Sequence, residues 1–303
     1  MERPAPLAST LRTAAILLLA ATLAPAQQTV SHFAPFDGAR VHYESYGQGR
    51  EAVVFIHGWT CDLTFWRAQA PVYNEHRSLL IDLPGHGESD MPSGPYPVEY
   101  FARSIDAVMR DAGVDRATLV GHSLGGPIAY AFLRLYPKKA KSVVIVDATV
   151  SVPVGGAAVL KAQKETYARR AKNLSGPQGD KNFAQQVEAM FSDMTPPDLR
   201  EQIRLKMFAT PEHVRVAAVT SASKLAPPAP NEVFKLPVLA IQTPSNATEA
   251  RAALMRKIFP QLKVIKWEGH GHFLMMEDPP RFNQELEEFL VFVETRSLVK
   301  GSY

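Results

Sequence analysis

The sequence has almost no cysteine, and this scarcity limits how the fold can be stabilised. Cys61 is the single cysteine among 303 residues, so no internal disulfide can form and stability must come from a packed core. A lone cysteine lying between Trp59 and Phe65 is typical of a small buried apolar residue. A reactive thiol at this position is the alternative.

A strong excess of charge of either sign is also missing. Lys and Arg total 33 against 30 Asp and Glu, which gives a formal net charge of +3, and no basic cluster stands out. A nucleic-acid partner would need such a cluster, so we exclude that class of function. Hydrophobic residues make up 46% of the chain and charged residues 21%, which is ordinary for a globular protein with a large core.

The apolar run near the start of the chain is too short to cross a membrane. Residues 14–23 fall well below the roughly 20 apolar residues that a bilayer core requires. The run follows Arg3 and Arg12 and precedes a small-residue pattern that ends on Ala26, which is the layout of a secretory signal peptide. We therefore predict a signal peptide over residues 1–26 and a secreted or periplasmic protein without stable membrane insertion. An uncleaved anchor is the alternative.

Motifs that hold metals or nucleotide cofactors are absent as well. The sequence contains no H-E-x-x-H pattern and no cysteine pair with metal-ligand spacing. It also contains no glycine loop of the kind that cradles phosphates and no dinucleotide fingerprint. We therefore expect a reaction that needs neither a metal nor a cofactor.

What the chain does contain is an alternation of strands and helices. Two β-prone runs, residues 30–36 and 39–46, flank Asp37-Gly38, the pair that tight hairpins prefer. Apolar runs typical of buried parallel strands follow at residues 52–56, 79–81, 117–120, 143–146, 237–241 and 262–265. Segments with helical spacing lie at residues 100–112, 127–136 and 279–295. The pattern predicts an α/β protein with a mostly parallel sheet.

One long segment interrupts this alternation. Residues 151–231 contain no strand-like run, only polar helix-forming stretches broken by proline pairs at 196–197 and 227–228. We interpret the segment as a helical insertion into a core formed by residues 27–150 and 232–303.

A serine stands directly after the run at 117–120, in the pentapeptide G-H-S-L-G at residues 121–125. The pentapeptide matches the nucleophile elbow, in which a strained turn between a strand and a helix exposes a serine hydroxyl. Gly121 and Gly125 keep Cβ atoms out of the space where the strand and the helix approach each other. Ser123 is the predicted nucleophile, and a plain loop serine is the alternative.

Four motifs in this order resemble the α/β-hydrolase superfamily: F-I-H-G-W at 55–59, D-L-P-G-H-G-E-S at 82–89, G-H-S-L-G-G at 121–126 and G-H-F-L-M-M-E-D-P at 271–279. Together they span nearly the whole chain after the predicted signal peptide. The resemblance implies the α/β-hydrolase fold, with a mostly parallel eight-stranded sheet and a helical cap inserted after strand six. The insertion at residues 151–231 falls where that cap belongs.

The resemblance implies that His272 is the base that activates Ser123, since serine is a poor nucleophile at neutral pH without one. The nearby His270 lacks the surrounding G-H-x-x-x-x-E pattern and is the weaker alternative. Glu277, the last residue of that pattern, is expected to fix the loop rather than react.

The same resemblance points to the backbone amides of Trp59 and Leu124 as the oxyanion hole, which holds the charge of the tetrahedral intermediate. His57 and Gly58 are expected to shape the turn that aims the Trp59 amide at the site. A catalytic role for the His57 side chain is the alternative.

The acid that should orient the histidine is where the chain departs from the family pattern. An Asp usually follows the seventh strand, but residues 242–248 contain no carboxylate, and Glu249 comes only after them. The superfamily also accepts an acid after the sixth strand, where Asp147 follows the run at 143–146. Because a histidine needs such a partner to hold its tautomer, Asp147 is the predicted acid. Glu249 and a merely structural Asp147 are the alternatives, and Asp82 is interpreted as a turn-former.

These residues predict a serine hydrolase that cleaves a small carboxylic ester or related acyl substrate through an acyl-enzyme. Dehalogenases and epoxide hydrolases of the same fold attack with a carboxylate and are excluded because position 123 is serine. Lactone hydrolysis, carbon-carbon bond hydrolysis and acyl transfer use the same residues and stay open. A weakly catalytic ligand-binding protein is the alternative from another class, favoured by the missing acid after strand seven.

Overall fold

The computed structural model describes residues 30–150, 157–222, 224 and 226–300. The predicted signal peptide and its cleavage site lie outside these residues. Eight described strands form one sheet, in the order β1-β2-β4-β3-β5-β6-β7-β8. They are β1 (Val30–Phe36), β2 (Ala39–Tyr46), β3 (Glu51–Ile56), β4 (Ser78–Ile81), β5 (Arg116–His122), β6 (Ala140–Val146), β7 (Val238–Gln242) and β8 (Leu262–Lys266).

The first two strands form the predicted antiparallel hairpin. Asp37 and Gly38 have φ values of 50° and 76°, the left-handed conformations that a tight hairpin turn requires. β2 is also antiparallel to β4, and every other neighbouring pair in the sheet is parallel. The predicted α/β-hydrolase fold, with its mostly parallel eight-stranded sheet, is confirmed.

Helices connect the strands. They are α1 (Ala70–Tyr73), α2 (Val98–Asp111), α3 (Gly125–Leu135), α4 (Ala157–Asn173), α5 (Gly179–Glu188), α6 (Pro197–Phe208), α7 (Glu212–Ala222), α8 (Glu249–Ile258), α9 (Leu274–Glu277) and α10 (Pro279–Lys300), with a 3-10 helix at Leu63–Gln69. α2, α3 and α10 correspond to the three predicted helices. The sequence pattern missed the 3-10 helix, α1, α8 and α9, although Asp62 and Thr248 cap the 3-10 helix and α8 with their side chains, a signal visible in sequence.

The segment between β6 and β7 is helical wherever the structure describes a regular element in it. α4, α5, α6 and α7 follow one another there, and α4 packs against α7. None of the described helices combines the length and apolar character needed to cross a bilayer.

The central strands are buried on both faces, which explains their continuous apolar sequences. In β3, β6 and β7 nearly every residue is buried. Since these strands are parallel, their carboxyl ends lie at one edge of the sheet, where ligands bind in folds of this type. The residues that directly follow β5 and β6, and the loop after β8, therefore converge at that edge.

Candidate active site

The serine predicted as nucleophile lies in a strained turn between β5 and α3. Ser123 has a φ of 51°, in the left-handed region that a residue with a side chain rarely adopts. A Cβ added to Gly121 would lie 2.4 Å from the carbonyl oxygen of Gly125, and one added to Gly125 would lie 2.4 Å from that of Ile56. Glycine at both positions therefore allows the turn to pack closely enough to present Ser123 at the sheet edge.

The structure brings together the three side chains that the sequence singled out. Ser123 Oγ lies 2.8 Å from His272 Nε2, and His272 Nδ1 lies 2.6 Å from Asp147 Oδ2. Because an ionised carboxylate can only accept, the Nδ1 proton of His272 points to Asp147 and leaves Nε2 to accept from the serine hydroxyl. This is the arrangement by which a histidine can remove a proton from serine.

Asp147 is held as an anion by several donors. It is buried, and its Oδ1 accepts hydrogen bonds from the Thr243 amide at 2.9 Å, the Thr243 hydroxyl at 2.7 Å and the Asn246 side-chain amide at 2.9 Å. Burial alone would raise its pKa, but the hydrogen bonds and the contact with His272 outweigh burial and hold the pKa well below its usual range. Its φ of 41° is also left-handed.

The loop that carries His272 is fixed from several sides. The His272 amide donates to the carbonyl of Met190 at 2.8 Å, so the segment after α5 holds the loop directly. Glu277 accepts from the Gly271 amide at 2.7 Å. A Cβ on Gly271 would lie 2.8 Å from the Met190 oxygen, so only glycine fits between the two segments.

A second histidine supports the first through its backbone. His122, the residue before the serine, is fully buried and donates from Nε2 to the carbonyl of His272 at 2.8 Å. Burial, reinforced by the nearby His272, lowers the pKa of His122 to about 3. His122 is therefore a neutral support for the His272 loop.

The loop after β3 lies against the serine. A Cβ on Gly58 would lie 3.0 Å from the Ser123 Cβ. Buried His57 holds this loop, because its Nδ1 donates to the Gly58 carbonyl at 2.8 Å and its Nε2 accepts from the Leu83 amide at 3.0 Å. Within the part of the chain that the structure describes, the amide of Trp59 donates no backbone hydrogen bond.

The second predicted oxyanion donor has the same property. The Leu124 amide, at the start of α3, makes no backbone hydrogen bond among the described residues. Trp59 and Leu124 both line the cavity that contains Ser123. Two unengaged amides thus border the space beside the serine hydroxyl.

Other side chains weighed from the sequence lie apart from this contact chain. Glu249 is 81% exposed and pairs with Arg256. His270 lines the cavity but bonds through Nδ1 to the Glu268 carbonyl. Cys61 is buried, and burial raises the pKa of its thiol.

Asp82 proves to belong to a second row of serine, histidine and aspartate. Ser31 Oγ lies 2.8 Å from His42 Nε2, and His42 Nδ1 lies 2.7 Å from Asp82 Oδ2. Asp82 also accepts from the amides of Leu63 at 2.7 Å and Glu88 at 3.0 Å. It therefore ties β2 to the loop after β4 and to the 3-10 helix, as a turn-former would.

Sequence reasoning missed the residues that support Asp147 and His272. Asn246 and Thr243 lie in the loop after β7, which lacks a carboxylate at residues 242–248 but provides donors to one. Their amide and hydroxyl groups next to the expected acid position were the available signal. The contact of Met190 with His272 is made by a backbone atom, so no side chain in the sequence could reveal it.

The serine, the histidine and the aspartate face one cavity of about 690 Å³. The floor of the cavity is formed at the carboxyl ends of the sheet strands. The opposite side is formed by α4, the segment after α5, and helices α6 and α7. No group of three or more His, Cys, Asp and Glu side chains in the described ranges is arranged to hold a metal ion. The volume suits a small organic molecule.

Comparison with known proteins assigns the chain to a family. A family model described as the alpha/beta hydrolase fold matches residues 51–279, well over half of the chain. The chain therefore belongs to the alpha/beta hydrolase fold family, and it is a hydrolase of that fold.

Individual relatives are distant. The chain is 27% identical over 270 residues to the non-heme chloroperoxidase CPO-A1 of Kitasatospora aureofaciens, covering 84% of this chain and 97% of that protein. It is 32% identical over 163 residues to a dihydrolipoyllysine-residue acetyltransferase component of the acetoin cleaving system of Cupriavidus necator, covering 53% of this chain but only 40% of that protein. The structure of a thermophilic esterase from Thermogutta terrifontis superposes with a TM-score of 0.74 at 24% identity, covering 88% of this chain and 99% of that one, which shows a shared fold.

Proposed function

We propose that the protein is a serine hydrolase that cleaves a small carboxylic ester or related acyl substrate through an acyl-enzyme. The observation that carries the proposal is the contact chain from Ser123 Oγ to His272 Nε2 at 2.8 Å and from His272 Nδ1 to Asp147 Oδ2 at 2.6 Å. A serine so connected can be deprotonated as it attacks a carbonyl carbon.

In the first half of the reaction Ser123 attacks the ester carbonyl while His272 takes the hydroxyl proton. The resulting imidazolium is stabilised by Asp147, whose low pKa keeps the carboxylate charged. His272 then gives the proton to the departing alcohol, and the acyl group stays on the serine oxygen.

The negative charge that develops on the carbonyl oxygen requires hydrogen-bond donors. The amides of Trp59 and Leu124 border the cavity and are not engaged by other described backbone groups. Donors fixed in advance in this way stabilise the transition state more than the ground state. In the second half of the reaction, water activated by His272 attacks the acyl-enzyme and releases the acid.

The ligand-binding alternative depended on the absence of an acid after strand seven. Asp147 lies within hydrogen-bond distance of His272, and Thr243 and Asn246 from the strand-seven loop donate to its other oxygen. This arrangement supports the hydrolase proposal over a weakly catalytic binding protein. The donors from the strand-seven loop support the assignment of Asp147 as the acid.

The proposal also covers the predicted cap and the predicted export. We propose that residues 151–231 act as a cap that closes the cavity and selects the substrate, since α4, α6 and α7 supply residues that line it. We further propose export with cleavage after Ala26, motivated by the N-terminal pattern. Intact-mass measurement of exported protein should give a chain beginning at Gln27, and retention of Met1 or Glu2 would support an anchored form.

The test of the hydrolase proposal is labelling with a fluorophosphonate probe combined with a panel of chromogenic esters of increasing acyl length. Wild type and Ser31→Ala should react rapidly with the probe and turn over short esters, whereas Ser123→Ala should do neither. Ser31→Ala is the matched control because Ser31 also contacts a histidine paired with an aspartate. Rapid labelling of Ser123→Ala would overturn the proposal.

A further inference from the structure

Arg170 of α4 lines the cavity next to Ser123 and has no anionic partner among the described residues. Among the described residues that line it, Arg170 of α4 is the only Arg or Lys and Asp147 is the only Asp or Glu. Asp147 is already committed to His272, Thr243 and Asn246. The charge of Arg170 therefore has no counterpart inside the cavity.

Arg170 is held in position by neutral groups. Its Nε donates to the side-chain oxygen of Gln186 at 2.6 Å, and its Cζ lies 4.5 Å from the centre of the Trp59 ring. A guanidinium has five N–H groups, and this contact uses one of them. No carboxylate among the described residues lies within ion-pair distance of the Arg170 guanidinium. The ionisable side chain that affects the pKa of Arg170 is Tyr167, one turn earlier on α4.

This environment is unfavourable for a lone cation. Arg170 is half-buried, and the loss of solvation lowers the pKa of its guanidinium below the ordinary value, because no carboxylate among the described residues compensates for that loss. Buried arginines are usually paired with a carboxylate or phosphate, for which the planar guanidinium provides two parallel donors. A bound anion would offset the cost of burial.

We propose that Arg170 binds a carboxylate on the substrate, so that the natural substrate is a small ester or related acyl compound that carries a negative charge away from the scissile bond. The inference rests on the proposed hydrolase function and adds the chemical class of the substrate. Tyr167 also lines the cavity and supplies a second donor on the same helix face.

The position of Arg170 fits a substrate that spans two sites. Its guanidinium stacks on the ring of Trp59, and the amide of that same residue is the proposed oxyanion donor beside Ser123. The Trp59 indole is itself fixed, because Nε1 donates to the Arg215 carbonyl at 3.0 Å. Trp59 therefore sets the spacing between the reacting carbonyl and the carboxylate, and a substrate that fits is short.

The test compares two matched series of esters. In the first series, kcat/KM for monoethyl esters of C4 to C8 dicarboxylic acids is compared with kcat/KM for the same esters with the free carboxylate replaced by an amide, which has the same shape without the charge. In the second series, acetates of hydroxy acids are compared with acetates of the corresponding hydroxy amides. Wild type should prefer the charged member in at least one series. Arg170→Gln should lower kcat/KM for that charged ester by about 10- to 100-fold, the effect of a charged hydrogen bond, and should change kcat/KM for the neutral amide little.

The chain offers a close control. Arg169 is the neighbouring residue on α4, is exposed, and contacts Thr166 rather than the cavity. Arg169→Gln should leave both series unchanged, and Arg170→Lys, which keeps the charge, should retain part of the preference. Equal losses for charged and neutral esters in Arg170→Gln, or no charge preference in wild type, would overturn the inference while leaving the hydrolase proposal intact.

A binding measurement tests the carboxylate site of Arg170 independently of the hydrolase proposal. Calorimetric titration of adipate into Ser123→Ala should show binding that is lost in the double variant with Arg170→Gln. If wild type hydrolysed no ester but this difference in adipate binding remained, the hydrolase proposal would fail and the carboxylate site would stand. Absence of adipate binding, or binding indifferent to Arg170→Gln, would overturn the carboxylate site.

Discussion

Two rows of serine, histidine and aspartate lie among the described residues, and they differ in the backbone and the surroundings of the serine. Ser123, at the β5-α3 turn, has a left-handed backbone and borders a cavity of about 690 Å³. Ser31 lies on β1, an exposed edge strand, in extended backbone. Ser31 lies 2.8 Å from His42, and His42 lies 2.7 Å from Asp82, close to the 2.8 Å and 2.6 Å of the first row.

We infer from this difference that a hydrogen-bonded row of these three side chains is not by itself enough for a reactive site. The first row adds unengaged amides from Trp59 and Leu124 and a space in which a carbonyl can lie. In the second row Asp82 accepts amide hydrogen bonds from the 3-10 helix and from the loop after β4, so we expect its role to be structural. We therefore expect changes in the first row to affect rate and changes in the second row to affect stability.

The largest expected difference in ester turnover is between the variants of the two serines. Ser123→Ala removes the proposed nucleophile, and loss of such a residue typically lowers turnover by several orders of magnitude. Ser31→Ala should leave ester turnover within about twofold of wild type, because an exposed surface substitution changes little. Steady-state ester hydrolysis checks both, and more than a tenth of wild-type turnover in Ser123→Ala would point to a different nucleophile.

Substitution of the two aspartates should have different effects, one on the rate of ester turnover and the other on the stability of the fold. Asp147→Asn should lower turnover by roughly 10² to 10⁴-fold with little change in melting temperature, because the amide invites the wrong tautomer of His272. Asp82→Asn should instead lower the free energy of unfolding by about 1 to 3 kcal/mol through its weakened backbone contacts. Chemical denaturation and ester kinetics on both variants make the comparison.

Glu249→Gln is the control for the acid assignment. Glu249 is exposed and pairs with Arg256, so its change should be silent in both measurements. A damaging Glu249→Gln together with a silent Asp147→Asn would move the acid to the strand-seven loop. If neither variant lost activity, His272 would be oriented by other groups, and the assignment of Asp147 as the acid would be wrong.

A smaller effect is expected from the donors to Asp147. Asn246→Ala removes one hydrogen bond to Oδ1 but leaves both bonds from Thr243. One hydrogen bond to a charged group contributes about 1.5 to 3 kcal/mol, and the remaining donors and water compensate in part. Turnover should therefore fall by roughly 3- to 30-fold. A loss as large as that of Asp147→Asn would mean that Asn246 acts on more than the acid.

The smallest effect is a difference in histidine titration between the two rows. Burial lowers the pKa of His42, but the hydrogen bond and charge of Asp82 outweigh burial and raise it above the ordinary 6.5. The stabilisation from protonated His42 is thus present below pH 6.5 and lost as pH rises through the raised value. His122, with its pKa lowered to about 3, acts in the opposite sense, and its stabilisation is lost as pH falls below 6.5.

NMR titration of the histidine ring protons checks these directions. His42 should titrate above pH 6.5, and His122 should remain neutral down to about pH 3. A His122 that titrates near 6.5 would show that it is not buried beside His272. Such a result would remove the support inferred for the His272 loop.

The strands, and the three side chains that meet at Ser123, could be predicted because each carries a local signal. β3, β5 and β6 are apolar on both faces, and Ser123 lies in a turn that needs glycine on both sides. The antiparallel pairing of β1 with β2 also followed from Asp37-Gly38, the pair that tight hairpins prefer, whereas the antiparallel pairing of β2 with β4 was not predicted.

Other features could not be predicted, because they depend on residues far apart in the chain. The Met190 carbonyl meets the His272 amide only when the segment after α5 folds over the sheet edge. Arg170 and Trp59 are likewise brought together only by the tertiary fold. The helices α1 and α9 were missed for a different reason, because four residues are too few to show a helical period in the sequence.

The central claim is that Ser123 carries the acyl group between the two halves of the reaction. Rapid acid quenching during turnover of a 4-nitrophenyl ester, followed by peptide mass spectrometry, tests it directly. The account predicts the mass of the acyl group on the peptide that contains Ser123 in wild type and in Ser31→Ala. An acyl group found on any other residue would contradict this claim. So would turnover without any acylated peptide in both wild type and Asp147→Asn.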